Sequence, residues 1–212
     1  TLGDVNGDGY ADFASGGGIA GSDAQGVVHV FAGRAEGPAS VPAQSLLTSP
    51  PVAMVRLGRT LSGTGDVNGD GFPDLLSGAP GENMTESSAF FFAGTTSGLA
   101  LTPSLRLQGR GTAAMPALSE FFSVSIAGAG DVNGDGYNDA VVGAAGGANQ
   151  AGYARLYLGS PRGLDTTPAW ERAGAGEERF GNHVSGGADV NGDGYDDLVA
   201  TSLGASAVRV WY

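Results

Sequence analysis

Asp4-Val5-Asn6-Gly7-Asp8-Gly9-Tyr10-Ala11-Asp12 is the stretch on which the reading of this chain turns. The same nonapeptide pattern, Asp-Val-Asn-Gly-Asp-Gly-aromatic-x-Asp, returns at Asp66 to Asp74, Asp131 to Asp139 and Asp189 to Asp197. Successive copies start 62, 65 and 58 residues apart, so the chain repeats one structural unit of about sixty residues.

Working outward from each copy, the same anatomy follows. A short apolar run comes first: Phe13 to Ser15, Leu75 to Ser77, Ala140 to Val142 and Leu198 to Ala200. After a Gly-rich connection there is a β-branched or aromatic stretch, Val27 to Gly33, Ala89 to Gly94, Tyr153 to Gly159 and Ala207 to Tyr212, a composition and length that predict strands. Weaker segments at Ser45 to Thr48, Ser104 to Leu107 and Ala169 to Arg172 predict a further strand. Leu57 to Ser62, Phe121 to Ala127 and Phe180 to Ser185 predict one ahead of three of the loops. A complete unit therefore holds four strands with the acidic loop between the first and second, which is one blade of a β-propeller. The first unit lacks its innermost strand and the last its outermost, leaving about 3.5 blades in a single all-β domain, 1–212. The repeats run approximately 1–56, 57–119, 120–179 and 180–212.

Composition agrees. Thirty-nine glycines in 212 residues, with no collagen-like period, read as turn residues of an all-β chain. Ten basic residues, all arginine, against 22 acidic ones give a net charge of −12, which argues against nucleic acid. The chain has no cysteine, hence no disulfide framework or thiol nucleophile. No apolar run approaches the ~18 residues of a membrane span.

In every copy positions 1, 5 and 9 are Asp and position 3 is Asn. The side-chain ligands are Asp4, Asn6, Asp8 and Asp12; Asp66, Asn68, Asp70 and Asp74; Asp131, Asn133, Asp135 and Asp139; and Asp189, Asn191, Asp193 and Asp197. A hard divalent ion such as calcium takes six to eight oxygen ligands, and a chain folded back on itself can offer alternate side chains plus a backbone carbonyl. That carbonyl would come from position 7, Tyr10, Phe72, Tyr137 or Tyr195, whose ring is expected to pack between sheets. Asn-Gly and Asp-Gly also form plain hairpin turns. Fourfold recurrence of three crowded carboxylates favours the metal, because like charges so close destabilise one another unless a cation compensates. Twelve of the 22 acidic residues lie at these positions, so four calcium ions, one per loop, would bring −12 to −4. An EF-hand needs a Glu at position 12 and flanking helices; here position 12 is Ser15, Ser77, Val142 or Ala200 in strand-like sequence.

The units resemble FG-GAP repeats, the blades of the integrin α-chain propeller. The acidic loop matches in all four copies. The "FG" element stands as Phe180-Gly181, altered to Leu57-Gly58 and Phe121-Phe122; "GAP" stands as Gly78-Ala79-Pro80, with Gly143-Ala144-Ala145 and Gly16-Gly17-Gly18 as variants. The resemblance implies calcium held in the loops, on the face opposite the usual ligand surface. It also implies an extracellular or cell-surface adhesion and protein-binding module. The alternatives are a carbohydrate-binding propeller lectin, or an accessory domain of a larger surface protein. Family propellers usually have seven blades, so a homodimer of half-rings or the remainder of a longer propeller would complete the ring.

No enzyme is expected: no Gly-x-Ser-x-Gly elbow, HExxH helix or phosphate-cradling loop is present. His29 and His183 read as structural, Glu120 and Glu177-Glu178 as poor stand-ins for a glycosidase pair, and Trp170 and Trp211 as blade packing rather than sugar platforms. Asn83-Met84-Thr85 matches a glycosylation sequon.

Overall fold

A computed structural model describes residues 1–17, 25–49, 55–80, 87–110, 120–147 and 150–212. Among them lie fourteen β-strands and no α-helix. The sequon at Asn83 lies outside the described residues.

Strands group by repeat into four antiparallel sheets, each paired in chain order. The first holds β1 (Phe13–Gly16), β2 (Val28–Phe31) and β3 (Gln44–Leu46). The second holds β4 (Thr60–Gly65), β5 (Asp74–Ala79), β6 (Ser88–Phe92) and β7 (Leu105–Gln108). The third holds β8 (Phe122–Gly130), β9 (Asp139–Ala144), β10 (Tyr153–Tyr157) and β11 (Trp170–Ala173). The fourth holds β12 (Phe180–Ala188), β13 (Asp197–Ser202) and β14 (Ala207–Trp211). These are propeller blades that do not close into a ring, with the first and last short of one strand each, as the sequence predicts.

The stacking order follows from side-chain alternation. In β5, Leu75 turns toward the first sheet and joins Val28, Val30, Leu46 and Leu57, while Leu76 turns toward the third. In β6, Phe90 and Phe92 share Leu75's side, and Phe91 packs with Leu76, Phe122, Val142 and Tyr157. Val141, Ala154 and Leu156 leave the third sheet on its other side to meet Phe180, Val184, Leu198 and Ala200 of the fourth. A middle sheet is thus buried on both faces, and β5, β6 and β9 are buried at every position. Each buried Leu or Phe contributes roughly 1.5–3 kcal/mol. Among the described residues the outer sheets are covered on one side only, and β2 and β14 alternate between more and less buried positions.

The innermost strands run further than composition suggests. β8 and β12 extend through Gly128-Ala129-Gly130 and Gly186-Gly187-Ala188 up to their acidic loops, with bulges near those ends. Glycine is required there because neighbouring inner strands nearly touch: a β-carbon on Gly128 would lie 2.9 Å from the Gly63 carbonyl oxygen.

Candidate metal loops

The acidic loops join β4 to β5, β8 to β9 and β12 to β13, and the first precedes β1. Asp and Asn side chains that hydrogen-bond backbone two to five residues on hold such a turn. In the second loop Asp66 Oδ1 accepts the N–H groups of Gly69 at 2.7 Å and Asp70 at 3.1 Å, and Asp66 Oδ2 accepts that of Gly71 at 2.8 Å. Asn68 Oδ1 accepts Asp70 N–H at 2.9 Å, and its amide donates to Asp70 Oδ2. Asp70 Oδ1 accepts Phe72 N–H at 3.0 Å. Asp131 to Tyr137 and Asp189 to Tyr195 repeat every one of these bonds, and Asp4 to Tyr10 repeats those of positions 1, 3 and 5 to residues 5, 6 and 7.

Position 9 is placed differently. Asp12, Asp74, Asp139 and Asp197 are buried, and their Oδ2 atoms accept the N–H of Val5, Val67, Val132 and Val190 at 2.7–3.1 Å. Their Oδ1 atoms accept Gly33, Gly94 and Gly159, just past the third strand of each blade. Asp197 Oδ1, also buried, accepts no hydrogen bond. Burial, with the charges of Asp70 and Asp66, pushes Asp74 up to about 7, and burial with those of Asp135 and Asp131 pushes Asp139 up to about 6. The half-buried Asp4 and the exposed Asp189 go the other way: the N–H groups of Gly9 and Gly194 foremost hold both below the usual carboxylate value.

Among the described residues no three His, Asp or Glu side chains stand as a ready-made metal cage. The donor set nonetheless fits a hard cation, being carboxylate and amide oxygen throughout, with no sulfur or imidazole nearby in sequence. Each carboxylate oxygen has two acceptor sites. Asp66 Oδ2, both Asp70 oxygens and both Asp74 oxygens each spend one on a hydrogen bond and keep one for an ion.

The position-7 rings pack at loop level rather than between the sheets. Phe72, Tyr137 and Tyr195 each lie over the position-4 glycine of the preceding loop, 3.0, 2.7 and 2.6 Å from where a β-carbon would stand on Gly7, Gly69 and Gly134. Tyr10 is exposed. Sequence reasoning left position 8 as a bare x. There Asn138 N–H donates to the Asp66 carbonyl at 3.1 Å, and Asp196 N–H to that of Asp131 at 3.2 Å, tying the third loop to the second and the fourth to the third. The only signal was that position 8 varies, as Ala11, Pro73, Asn138 and Asp196.

The remaining candidates sit in hydrogen bonds, ion pairs and ring contacts within and between blades. His29 Nδ1 lies 2.9 Å from Ser45 Oγ within its own sheet, and His183 N–H donates to Thr201 Oγ1. Glu120 is buried and accepts the Tyr153 hydroxyl at 2.9 Å; burial foremost, and then the Glu120 charge, raise the phenol's pKa. Glu178 pairs with Arg209. Trp170 and Trp211 meet edge to face across the third and fourth blades at 5.0 Å.

The sequence pattern of the FG-GAP repeat matches residues 57–97, 122–157 and 180–212, just over half of the chain. The chain belongs to the FG-GAP repeat family. Among curated relatives it is 36% identical to integrin alpha-IIb of Mus musculus over 161 residues, 69% of this chain and 15% of that one. It is 32% identical to integrin alpha-5 of Xenopus laevis over 169 residues, 73% of this chain and 15% of that one. The chain thus spans about a seventh of these relatives' length. A solved chain, Bacillus licheniformis rhamnogalacturonan lyase PL11, aligns over 91% of this chain and 41% of its own with a TM-score of 0.43 and 16% identity, a likeness too loose to bear on function.

The FG and GAP elements meet across blades. A β-carbon on Gly143 would lie 2.1 Å from the Gly181 carbonyl oxygen, and one on Gly16 would lie 1.9 Å from that of Gly58. Between the second and third blades Gly78 faces Ser123, so the FG element there is Phe122-Ser123, not Phe121-Phe122 as the sequence resemblance suggests. Ser123 keeps a glycine-like φ of 67°, against 83° at Gly58 and 77° at Gly181.

Proposed function

We propose that this chain is a protein-binding adhesion module of the cell exterior, whose blades are stiffened by calcium held one ion to a loop. Four loops with the same Asp and Asn positions, each held by the same side-chain-to-backbone hydrogen bonds and keeping acceptor sites to spare, carry the reading. Asp4, Asn6, Asp8, Asp12 and the Tyr10 carbonyl would hold the first ion, and Asp66, Asn68, Asp70, Asp74 and the Phe72 carbonyl the second. Asp131, Asn133, Asp135, Asp139 and the Tyr137 carbonyl would hold the third, and Asp189, Asn191, Asp193, Asp197 and the Tyr195 carbonyl the fourth. The ion supplies charge compensation: it cancels the repulsion among three carboxylates and pins both ends of the hairpin.

Membership of the FG-GAP family, with integrin alpha chains as relatives, supports the adhesion reading. The partner would meet the connections at the opposite end of the blades from the acidic loops, and completion of the ring by further blades or a second copy belongs to the same reading. An extracellular setting suits it, since calcium modules there bind at about 10⁻⁴–10⁻³ M. No helix among the described residues is long and apolar enough to cross a membrane.

Calorimetric titration of chelator-stripped protein, followed by melting curves, tests the calcium. Several equivalents of calcium binding in that range, with stabilisation of about 2.7 kcal/mol per site at a hundredfold excess over Kd, is the expected result. A melting temperature indifferent to calcium would overturn it.

A further inference from the structure

The loops are joined in series by peptide groups, and the series is broken at one residue. Asn138 N–H, which donates to the Asp66 carbonyl, belongs to the same planar peptide group as the Tyr137 carbonyl, the backbone donor of the third loop. The Asp66 carbonyl belongs in turn to the same peptide group as Val67 N–H, which donates to Asp74 Oδ2 at 2.9 Å. One unbroken path of two peptide groups and two hydrogen bonds therefore leads from a donor of the third loop to a donor of the second. The path recurs one blade on. The peptide of Tyr195 and Asp196 bonds to the Asp131 carbonyl at 3.2 Å, and the peptide of Asp131 and Val132 bonds to Asp139 Oδ2 at 2.9 Å.

Extra clamps reinforce both links. Asp196 Oδ2 accepts Asp131 N–H at 2.9 Å, Asn138 packs against Gly65, and Ser160 N–H donates to the Val67 carbonyl at 3.1 Å. Between the second loop and the first the corresponding residue is Pro73, which has no N–H to give. Its ring packs against Gly3, and the Phe72 ring over Gly7 joins the two loops there without a hydrogen bond from position 8.

Resting on the calcium reading above, we propose that the second, third and fourth loops bind calcium as a coupled set, while Pro73 isolates the first. A carbonyl drawn to a cation polarises and fixes the N–H across its own peptide, and chains of hydrogen bonds pass such ordering on. Filling one loop then leaves less disorder for its neighbour to lose, and the coupling is reciprocal.

The test uses ¹⁵N-labelled, calcium-stripped protein titrated with calcium, following the amides of Gly9, Gly71, Gly136 and Gly194 as separate reporters. Asp135→Ala, which disables the third loop, is expected to weaken the responses of Gly71 and Gly194 by about fivefold or more and to leave Gly9 within about twofold. Asn138→Pro, copying what the second loop already carries at position 73, should abolish the effect of Asp135→Ala on Gly71 while preserving it at Gly194. Pro73→Asn should extend the set, making Gly9 sensitive to the state of the second loop, and it decides the matter should Asn138→Pro not fold. Equal effects of Asp135→Ala on Gly9 and Gly71, or none on Gly71 and Gly194, would overturn the coupling with the calcium reading intact. Four glycines indifferent to calcium in the unmodified protein would overturn the calcium reading itself, and the coupling with it.

Discussion

The ring of Tyr137 lies 2.7 Å from where a β-carbon would stand on Gly69, a contact that joins two acidic loops from different blades. Gly71, two residues on, has a similar positive φ (90° against 74°) and nothing within 4 Å of its would-be β-carbon. Both Gly→Ala changes force a left-handed alanine, at roughly 1–2 kcal/mol. Gly69→Ala must also displace the ring, at about 1–3 kcal/mol more. Denaturant unfolding of the two variants should therefore differ by that second amount, and equal losses would mean the ring does not bind the loops together.

Ser123 does two jobs at once. Its hydroxyl donates to the Ser88 carbonyl at 2.7 Å and accepts Ala79 N–H at 3.1 Å, inside the contact between the second and third blades. Ser123→Ala strands both buried groups and should cost about 1–3 kcal/mol. Ser123→Gly strands them too but relieves the left-handed backbone, so it should be the milder change by roughly 1 kcal/mol. Urea midpoints of the pair settle the order.

Stability without calcium should depend on pH in a particular sense. Asp74 and Asp139 titrate in the folded chain at about 7 and about 6, chiefly through burial, against ~3.9 in an unfolded one. A raised folded pKa means the folded state holds the extra protons. The stability they lend is complete below about pH 4 and lost as pH rises through 6 and 7. Stripped protein should thus melt at a lower temperature at pH 8 than at pH 5, and saturating calcium at pH 8 should recover the difference. Calorimetry across that range would refute the account if the stripped protein gained stability toward pH 8.

Trp170 and Trp211, the two tryptophans of the chain, meet at 5.0 Å and 74° across two blades. Such a pair should give an exciton couplet in far-ultraviolet circular dichroism that vanishes equally in Trp170→Phe and Trp211→Phe. A couplet surviving either change would place the rings apart.

Much of this architecture was legible because the loop repeats without error. Four copies of one nonapeptide fixed the number of units, and β-branched or aromatic stretches such as Ala89 to Gly94 located the third strand of each blade within a residue or two. The innermost strands were harder. Gly128-Ala129-Gly130 has the composition of a loop, and it is a strand only because β9 pairs with it and the neighbouring inner strand leaves no room for side chains. Phe121-Phe122 misled for a related reason: the FG position is defined by left-handed backbone facing another backbone, and serine meets that need while hiding from a search for glycine. In the loops, residue types revealed the oxygens but not their orientation. Nothing in the pattern distinguishes the buried Asp74 from the exposed Asp70. Position 8 was opaque because its contribution is a backbone N–H, which every residue has except the proline that interrupts the series.

The bond from Gly69 N–H to Asp66 Oδ1, matched at Gly134 and Gly192, bears on how these loops age. Loss of ammonia from an Asn-Gly pair begins when the glycine nitrogen attacks the asparagine side chain, and asparagine is among the heat-labile residues. At 2.6–2.7 Å from a carboxylate, those three N–H groups are held as hydrogen-bond donors and fixed in the turn, so spontaneous deamidation at Asn68, Asn133 and Asn191 is held back for as long as the hairpin stays folded.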